Sequence, residues 1–201
     1  VHFHATATEA DGDTLAYAWS FGDLTFSTNN LPWASKSWAT PGDRVVRCVV
    51  SDMKGGVAST NQVVTVGTAT GFRITGRVAD AGGVPLEGVR VDNAATNTAE
   101  YLGGYTDSDG RFIIVGVTSN QPLYAYKPGF VFTNQTWENP ITITNSVANI
   151  DFLALPLPAV SLSVSTNTIT ENNTAQQFFT LTRTGDPTNE LAVLLNLSGS
   201  A

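Results

Sequence analysis

Cysteine and histidine are scarce in this 201-residue chain, which contains one Cys and two His. A single cysteine cannot form a disulfide within the chain, so the fold must be held by its core and its sheets. Zinc sites usually take three or four protein ligands, and histidine is the most frequent general acid or base. With this composition we expect neither a zinc centre nor a Ser-His-Asp triad, and the chain itself is predicted not to be an enzyme.

Charged residues and long apolar runs are also limited. Asp, Glu, Lys and Arg make up 13% of the chain, with 17 acidic residues against 10 basic ones and a net charge of −7. Nucleic acids are bound by clustered Lys and Arg, so no nucleic-acid partner is expected. No apolar stretch reaches about 18 residues, and no membrane-spanning helix is predicted. Val1 opens directly in an alternating strand pattern, so no signal peptide is predicted there.

Short runs of alternating apolar and polar residues, separated by Gly, Asn, Asp and Pro, recur along the whole length. This period of two is typical of β-strands, and helical periodicity is nearly absent. The fold class is therefore predicted to be all-β. Two breaks, at 67–71 and 155–158, divide the chain into segments 1–66, 72–155 and 159–201. The first break is rich in small residues and flexible, whereas two prolines stiffen the second.

The first segment contains two strands with strongly apolar faces. Tyr17, Trp19 and Phe21 alternate with small residues and therefore share one face of a strand. Val46 and Cys48 share a face of a second strand, where the thiol is predicted to be a small buried side chain rather than a reactive nucleophile. Two such faces are typical of a small β-sandwich core.

The order DGDTLAYAWSFGD followed by ATPGDRVVRCVVSDMKGG resembles the PKD (polycystic kidney disease) domain. The resemblance covers residues 1–66 and implies an Ig-like β-sandwich of the kind common in secreted bacterial enzymes and surface proteins. Two features depart from the family pattern. Leu24 replaces the third residue of the usual Gly-Asp-Gly, and the first strand of the domain is missing, because Val1 already lies at the second.

The second segment carries three motifs in order, ITGRVADAGGVPLEGVRV, TDSDGRF and YAYKPGF. Together they resemble the carboxypeptidase regulatory-like domain over about residues 72–155, which implies a transthyretin-like β-sandwich. In the opening strand of this segment Phe72, Ile74 and Val78 are predicted to face the core, with Arg73 and Arg77 on the opposite face.

The third segment, about residues 159–201, begins with alternating Val and Ser and continues with ITEN and FTLTRTGDPTNELAVLLNLSGSA. This pattern is similar to the start of a Calx-β domain and covers less than half of one. The complete prediction is a tandem pair of Ig-like and transthyretin-like β-sandwiches with a partial third β-sandwich. Because the outer segments resemble incomplete modules, we expect the chain to be part of a longer protein.

Paired carboxylates at Asp11/Asp13 and Asp107/Asp109 are the main candidates for acid–base chemistry. Each pair lies beside a glycine in a tight turn, where an Asp side chain commonly accepts hydrogen bonds from nearby backbone amides. Glycoside hydrolysis would need a substrate cleft between two carboxylates. We therefore favour the turn interpretation over a catalytic one.

His2 and His4 share a strand face but lack the further ligands that zinc needs, so calcium is the more credible metal, because this cation binds oxygen atoms of flexible turns. Some relatives of the PKD domain bind calcium between two of their turns, and that resemblance implies Glu9, Asp11 and Asp52 as ligands here. Calx-β domains also bind calcium in certain proteins, where Glu171 matches an acidic residue of the first loop. These four carboxylates are hypothetical ligands.

Two of the four tryptophans are candidates for sugar binding. Trp33 and Trp137 lie in polar stretches interpreted as loops, where an exposed ring could stack on a sugar. The alternative is that each ring folds over the end of its own sandwich. Trp19 and Trp38 are instead predicted to be buried.

The functional expectation is a non-catalytic part of a secreted or cell-surface bacterial protein, in which the modules act as spacers and docking surfaces. The family resemblances imply that the parent is an exported hydrolase, with a metallopeptidase favoured. The expected partners are neighbouring domains of the same chain, a polysaccharide or an extracellular protein. The alternative function is a carbohydrate-binding module that uses Trp33 and Trp137.

Overall fold

The computed structural model describes residues 1–95, 100–134, 136–165, 178–184 and 192–194. Over these ranges the chain forms β-strands joined by turns and contains no helix, which confirms the all-β prediction. The chain divides into two compact units, Val1–Leu155 and Pro156–Ala201. The first unit contains both the first module (residues 1–66) and the second module (residues 72–155), which the sequence had suggested as separate domains.

Fourteen strands are present in the described ranges. They are β1 (His2–His4), β2 (Ala16–Ser20), β3 (Trp33–Ser35), β4 (Gly42–Ser51), β5 (Val57–Val66), β6 (Phe72–Asp80), β7 (Arg90–Asp92), β8 (Gly103–Tyr105), β9 (Arg111–Val117), β10 (Tyr124–Tyr126), β11 (Phe130–Thr133), β12 (Phe152–Pro156), β13 (Val160–Val164) and β14 (Phe179–Arg183).

The first module packs a two-stranded sheet, β1-β3, against a three-stranded sheet, β2-β4-β5. The ring of Phe3 on β1 lies 5.8 Å from that of Trp19 on β2, and its neighbours in the core include Phe21. Val46 and Cys48 of β4 are buried beside these rings. The predicted apolar faces of both strands are thus confirmed, and they form the core of this small sandwich.

The second module consists of a four-stranded sheet, β11-β12-β6-β9, and a three-stranded sheet, β10-β7-β8. Strand β6 lies at the centre, antiparallel to β9 and parallel to β12. Ile74 and Val78 of β6 are completely buried, as predicted, and pack with Val91 of β7 and Phe112 of β9. The core therefore lies between the two sheets, and the opposite face of β10-β7-β8 carries the exposed side chains of Tyr105, Tyr124 and Tyr126.

Glycine is required at the centre of β6. A Cβ at Gly76 would lie 1.8 Å from the carbonyl oxygen of Ile150 and 2.7 Å from the ring of Phe112. This contact is possible because the segment before β12 runs close to β6, where the amide of Ile150 donates a hydrogen bond to the carbonyl of Thr75. The absence of a side chain thus allows the close approach of two backbones.

The second unit contains one antiparallel pair, β13 and β14. Val160, Leu162 and Val164 of β13 lie opposite Arg183, Leu181 and Phe179 of β14, so these side chains share one face. Serines and threonines occupy the other face. The predicted third sandwich stays a prediction, since most of its residues lie outside the described ranges.

Candidate functional site

The most extensive polar constellation is the junction between the two modules. Arg73, the second residue of β6, binds the carboxylate of Asp43 near the start of β4. Its Nε and Nη2 atoms lie 2.5 and 3.0 Å from the two carboxylate oxygens. The hydroxyl of Thr65 on β5 donates to Asp43 at 2.7 Å and accepts a hydrogen bond from Arg73 at 2.7 Å. One closed cluster therefore joins the last strands of the first module to the first strand of the second.

The acidic member of this ion pair is buried, whereas the basic member is partly exposed. The side chain of Asp43 is only 2% exposed, whereas that of Arg73 is 38% exposed. The hydrogen bond from Arg73 holds the pKa of the Asp43 carboxyl below its usual range, against the opposing effect of burial. A carboxylate that is ionised, buried and fully paired in this way is a structural group rather than a proton donor.

A second part of the junction surrounds Arg47 on β4. Its Nη1 atom donates to the carbonyls of Tyr105 and Thr106 at 3.3 and 3.1 Å, and its Nη2 atom lies 3.6 Å from the carboxylate of Glu87. Asn61 on β5 adds a hydrogen bond to the carbonyl of Tyr105 at 3.1 Å. Backbone carbonyls of the second module are thereby bound by side chains of the first.

Two serines complete the junction. The amide of Ser59 donates to the hydroxyl of Ser108 at 2.7 Å, and the amide of Ser108 donates to the carbonyl of Ser59 at 3.1 Å. Both hydroxyls donate to the carboxylate of Glu87. Since each module supplies donors and acceptors, their relative position is fixed by a directional network and not by apolar contact alone.

Of the four acidic turn residues, Asp107 accepts backbone hydrogen bonds as the turn interpretation predicts, whereas Asp13 binds a lysine. The carboxylate of Asp107 accepts hydrogen bonds from the amides of Asp109 and Arg111 at 3.1 and 2.9 Å. Asp13 pairs with Lys54 at 2.6 Å. These carboxylates are engaged with the backbone or with a cation, so neither pair has the geometry of a general acid facing a base.

The candidate calcium ligands of the first module are also engaged locally. The carboxylate of Asp52 accepts hydrogen bonds from the amides of Lys54 and Gly56 at 2.7 and 2.9 Å, and the first of these bonds lowers the pKa of Asp52. Glu9 accepts one from the amide of Asp13 at 2.8 Å. Within the described ranges, no three acidic, His or Cys residues come together as a metal site.

Of the two remaining calcium candidates, the structure describes one. Asp11 lies exposed in the turn before β2. Glu171 lies outside the described residues. Calcium binding at these carboxylates stays a prediction.

The two candidate sugar-binding tryptophans have different environments. Trp33 is 54% exposed and begins β3, so the loop assignment was wrong: its pairing with His4 of β1 draws it into a strand. Trp137 is half-buried, with its ring perpendicular to that of Phe152 at 5.4 Å and its Nε1 atom donating to the carbonyl of Asp151 at 3.4 Å. The ring of Trp137 is thus folded onto its own sandwich, and the exposed aromatic candidate of the pair is Trp33.

In the part of the chain that the structure describes, the histidines and the cysteine do not meet acidic partners. Nδ1 of His2 lies 2.7 Å from the hydroxyl of Ser35, and His2 is exposed. His4 and Cys48 line a groove of about 550 Å³ whose described lining contains no Asp or Glu. Burial raises the pKa of the Cys48 thiol to about 11, so the thiolate is disfavoured at neutral pH. This confirms the interpretation of Cys48 as a core side chain.

A polar cleft of about 470 Å³ adjoins the junction and is lined by several charged side chains. Its lining includes Arg77, Arg111, Asp109 and Asp151. Arg77 donates from Nε to the carbonyl of Asp109 at 3.0 Å, and its amide donates to the carboxylate of Asp151 at 2.9 Å. The charged groups therefore serve local hydrogen bonds, and no imidazole lines this cleft in the described part of the chain.

The comparison with protein families identifies the first module. Residues 1–67 match the PKD domain. This confirms the resemblance based on the motifs of that segment, and PKD domains are non-catalytic modules with an Ig-like fold that occur in extracellular proteins. The search of curated proteins gave no match to the chain.

The PKD match covers one third of the chain, and the resemblances of residues 72–155 and 159–201 to other families stay predictions.

Within the PKD domain, Leu24 adopts a φ of +63° and is 94% exposed, although a side chain is strained in that conformation. No described helix is long and apolar enough to cross a membrane.

Sequence reasoning did not find the junction. Arg73 and Arg77 were placed correctly on the outer face of β6, but their partners lie far along the chain or are backbone carbonyls. The position of Asp43 and Arg47 on one face of β4, opposite the apolar face of Val46 and Cys48, was the available signal. It showed that β4 had a polar face, without showing what covered that face.

Proposed function

We propose that the chain is a non-catalytic spacer and docking part of a secreted or cell-surface multidomain protein. The single observation that carries the proposal is the junction, in which Arg73 and Arg47 bind across the boundary between the PKD domain and the second module. A spacer must hold its ends at a defined distance, and a directional network of partly buried hydrogen bonds restricts rotation better than a flexible linker does. The parent is proposed to be an exported hydrolase, in keeping with the resemblances of the modules.

The spacer role predicts that the two-module unit is rigid, and a distance measurement tests this. Spin labels at Met53→Cys and Val131→Cys would report the distance between the modules in the full chain, since both native side chains are exposed. Cys48 is buried and its thiol pKa is about 11, so labelling should spare it. Pulsed electron paramagnetic resonance is expected to give one narrow distance distribution, which broadens when Arg47 and Arg73 are both replaced by Ala. A broad distribution in the unchanged junction would contradict the spacer role.

Absence of catalysis is tested separately. The chain is expected to leave casein and chromogenic glycosides intact over hours at micromolar concentration. Turnover that persists after repurification and disappears in an Asp109→Asn variant would show that the chain is a hydrolase. The same assay on Asp13→Asn would control for general effects of removing a turn carboxylate.

Carbohydrate binding is the second candidate function, and the exposure of Trp33 favours it. An exposed indole ring beside the polar loop 28–31 offers a flat apolar surface on which a sugar could stack. This candidate predicts that a soluble polysaccharide quenches tryptophan fluorescence and that Trp33→Ala abolishes the quenching. An equal response in the Trp33→Ala protein would exclude this ring as the binding group.

A further inference from the structure

The outer face of the β10-β7-β8 sheet carries a row of exposed aromatic side chains. Tyr105 on β8, Arg90 on β7 and Tyr126 on β10 lie directly opposite one another across the three strands. Residues paired in this way project from the same face, so the guanidinium lies between two tyrosine rings. Tyr124 projects from this face as well, because it lies two residues before Tyr126.

These rings are not required by the core. Tyr105, Tyr124 and Tyr126 are 52%, 51% and 56% exposed, whereas Val91 and Ala125 point to the opposite side and pack in the core of the second module. We call Tyr101, Tyr105, Tyr124, Tyr126 and Arg90 the tyrosine face. A contiguous exposed aromatic surface is unusual for a protein that binds nothing, since tyrosine rings gain free energy by burial.

Arg90 lies at the centre of this face, and the terminal nitrogens of its guanidinium are available for further hydrogen bonds. Its Nε lies 2.7 Å from the carboxylate of Asp92, and its guanidinium lies 5.3 Å from the centre of the Tyr126 ring. The side chain of Asp92 is only 4% exposed, whereas that of Arg90 is 46% exposed. The cation of this pair therefore faces solvent and the anion does not.

Tyr101 and Gly103 complete the arrangement. A Cβ at Gly103 would lie 2.6 Å from both the Tyr101 hydroxyl oxygen and the Cβ of Asp92, so glycine makes room for the tyrosine over the carboxylate. Burial, followed by the charge of Asp92, raises the pKa of Tyr101. The ring of Tyr101 covers Asp92 and leaves Arg90 as the charged group that a ligand would meet.

We propose that the tyrosine face binds a polysaccharide that carries carboxylate groups. Tyrosine offers an apolar ring for the CH face of a sugar and a hydroxyl for its polar edge. The terminal nitrogens of Arg90 have no hydrogen-bond partner among the described residues and suit the planar geometry of a uronate carboxylate. The exposed row presents one cation and no exposed acid, in a chain whose net charge is −7.

The dimensions suit an extended ligand. Tyr105 and Tyr126 are separated by two strand spacings, about 10 Å, so a linear chain that crosses the strands meets both rings in succession. Beside Tyr101 and Tyr105 lies a groove of about 410 Å³ that the PKD domain lines with Leu24 and Phe26. The binding surface would thus continue from the second module across the junction.

The inference deepens the carbohydrate-binding candidate but assigns it to residues other than Trp33. Affinity electrophoresis of the full chain in gels with alginate, polygalacturonate or a neutral glucan tests it. We expect retardation by at least one of the polyuronates and little by the glucan. Replacing both Tyr105 and Tyr126 by Ala should weaken binding about tenfold or more, because two stacking contacts are lost. Phe at both positions should retain most of the affinity.

Two further variants separate the possible explanations. Arg90→Gln should weaken polyuronate binding and make it less sensitive to salt, because it removes the cation while leaving the rings. Phe178→Ala is the matched control, because it removes an exposed aromatic ring that is not part of the tyrosine face, and it should bind as the unchanged protein does. Thermal melting of each variant checks that the fold is retained, and the exposure of all these side chains makes large losses of stability unexpected.

Several results would overturn the inference. They are failure of both polyuronates to retard the chain, equal retardation by the neutral glucan, and unchanged binding in the Tyr105→Ala/Tyr126→Ala protein. Loss of binding in Trp33→Ala alone would move the site to β3. None of these outcomes bears on the spacer role, which the distance measurement tests independently.

Discussion

Leu24 shows how a single residue departs from the pattern of its surroundings. It occupies a left-handed backbone conformation with its side chain in solvent, at the position where the PKD pattern has glycine. A β-carbon is disfavoured there by about 1–2 kcal/mol, an effect partly offset by the greater freedom of glycine in the unfolded chain. The residue was recognisable from sequence as a departure, but its conformation was not.

Leu24→Gly is therefore expected to raise the free energy of unfolding by up to about 1 kcal/mol. Urea unfolding followed by tryptophan fluorescence measures the change. Gly22→Ala is the control, because a Cβ at Gly22 would lie 2.8 Å from the backbone of Val45 and should destabilise the protein. A Leu24→Gly protein less stable than the original would mean that the leucine makes contacts that outweigh its strain.

Asp43 gives the junction a defined response to acid. Its pKa is lowered in the folded chain, chiefly by the hydrogen bond from Arg73, so the pair stabilises the fold above the ordinary carboxyl value of 3.8. That contribution is lost as the pH falls through the lowered pKa. Asp43→Asn should cost about 1–3 kcal/mol at pH 7.

The difference between the Asp43→Asn protein and the original should then shrink as the pH falls below 3.8. Urea unfolding at pH 7, 5, 3 and 2 gives the required free energies. Thr65→Val, which removes a neutral partner of the same carboxylate, should cost less at neutral pH. A difference that stays constant down to pH 2 would show that Asp43 contributes nothing through its charge.

At the scale of the element, β6 is the strand on which the second module depends. It lies between β12 and β9, buries Ile74 and Val78 completely, and approaches the carbonyl of Ile150 at Gly76. The alternation of apolar residues predicted its buried face. The need for glycine could not be predicted in the same way, because the group that excludes a side chain comes from a segment more than 70 residues later.

Gly76→Ala is expected to destabilise the second module by about 3 kcal/mol, at the upper end of the usual cost of overpacking. Differential scanning calorimetry on the full chain measures the effect. Gly83→Ala serves as the control. Gly83 has a φ of +82°, but a Cβ there would have no atom within 4 Å, so only backbone strain of about 1 kcal/mol is expected. Equal costs for the two variants would show that β6 and the Ile150 segment separate easily.

Alternation along individual strands explains which aromatic residues could be placed correctly from the sequence. Tyr17, Trp19 and Phe21 fell on one face because their strand alternates strictly, and the core of the PKD domain confirms that face. The tyrosine face was equally visible as Tyr-Ala-Tyr at 124–126, where alanine points inward. What the sequence could not show is that β7 and β8 bring Arg90 and Tyr105 beside these rings, since strand order is set by pairing between distant segments.

At the scale of the whole molecule, the junction makes residues 1–155 one compact unit instead of two independent modules. Replacing Arg47 and Arg73 together by Ala should separate their unfolding into two thermal transitions, where the original shows one for this unit. Trp19 and Trp38 report the PKD domain, and Trp137 reports the second module.

Arg44→Ala is the matched control for this prediction. Arg44 lies on the same strand as Arg47, but its guanidinium binds the carbonyls of Asp43 and Thr40 within the PKD domain. It should lower stability without splitting the transition. Two well-separated transitions in the unchanged protein would refute the coupling between the modules.

Once the junction has formed, the segment between the modules is not needed to hold them together. Residues 67–70 are exposed, while Arg73, Thr65 and Asp43 form their bonds on either side of the segment. A protease that cut this segment would produce two polypeptides that still copurify and elute together until urea or acid separates them. In a protease-rich environment the protein could therefore be nicked there and keep its length and its binding surface.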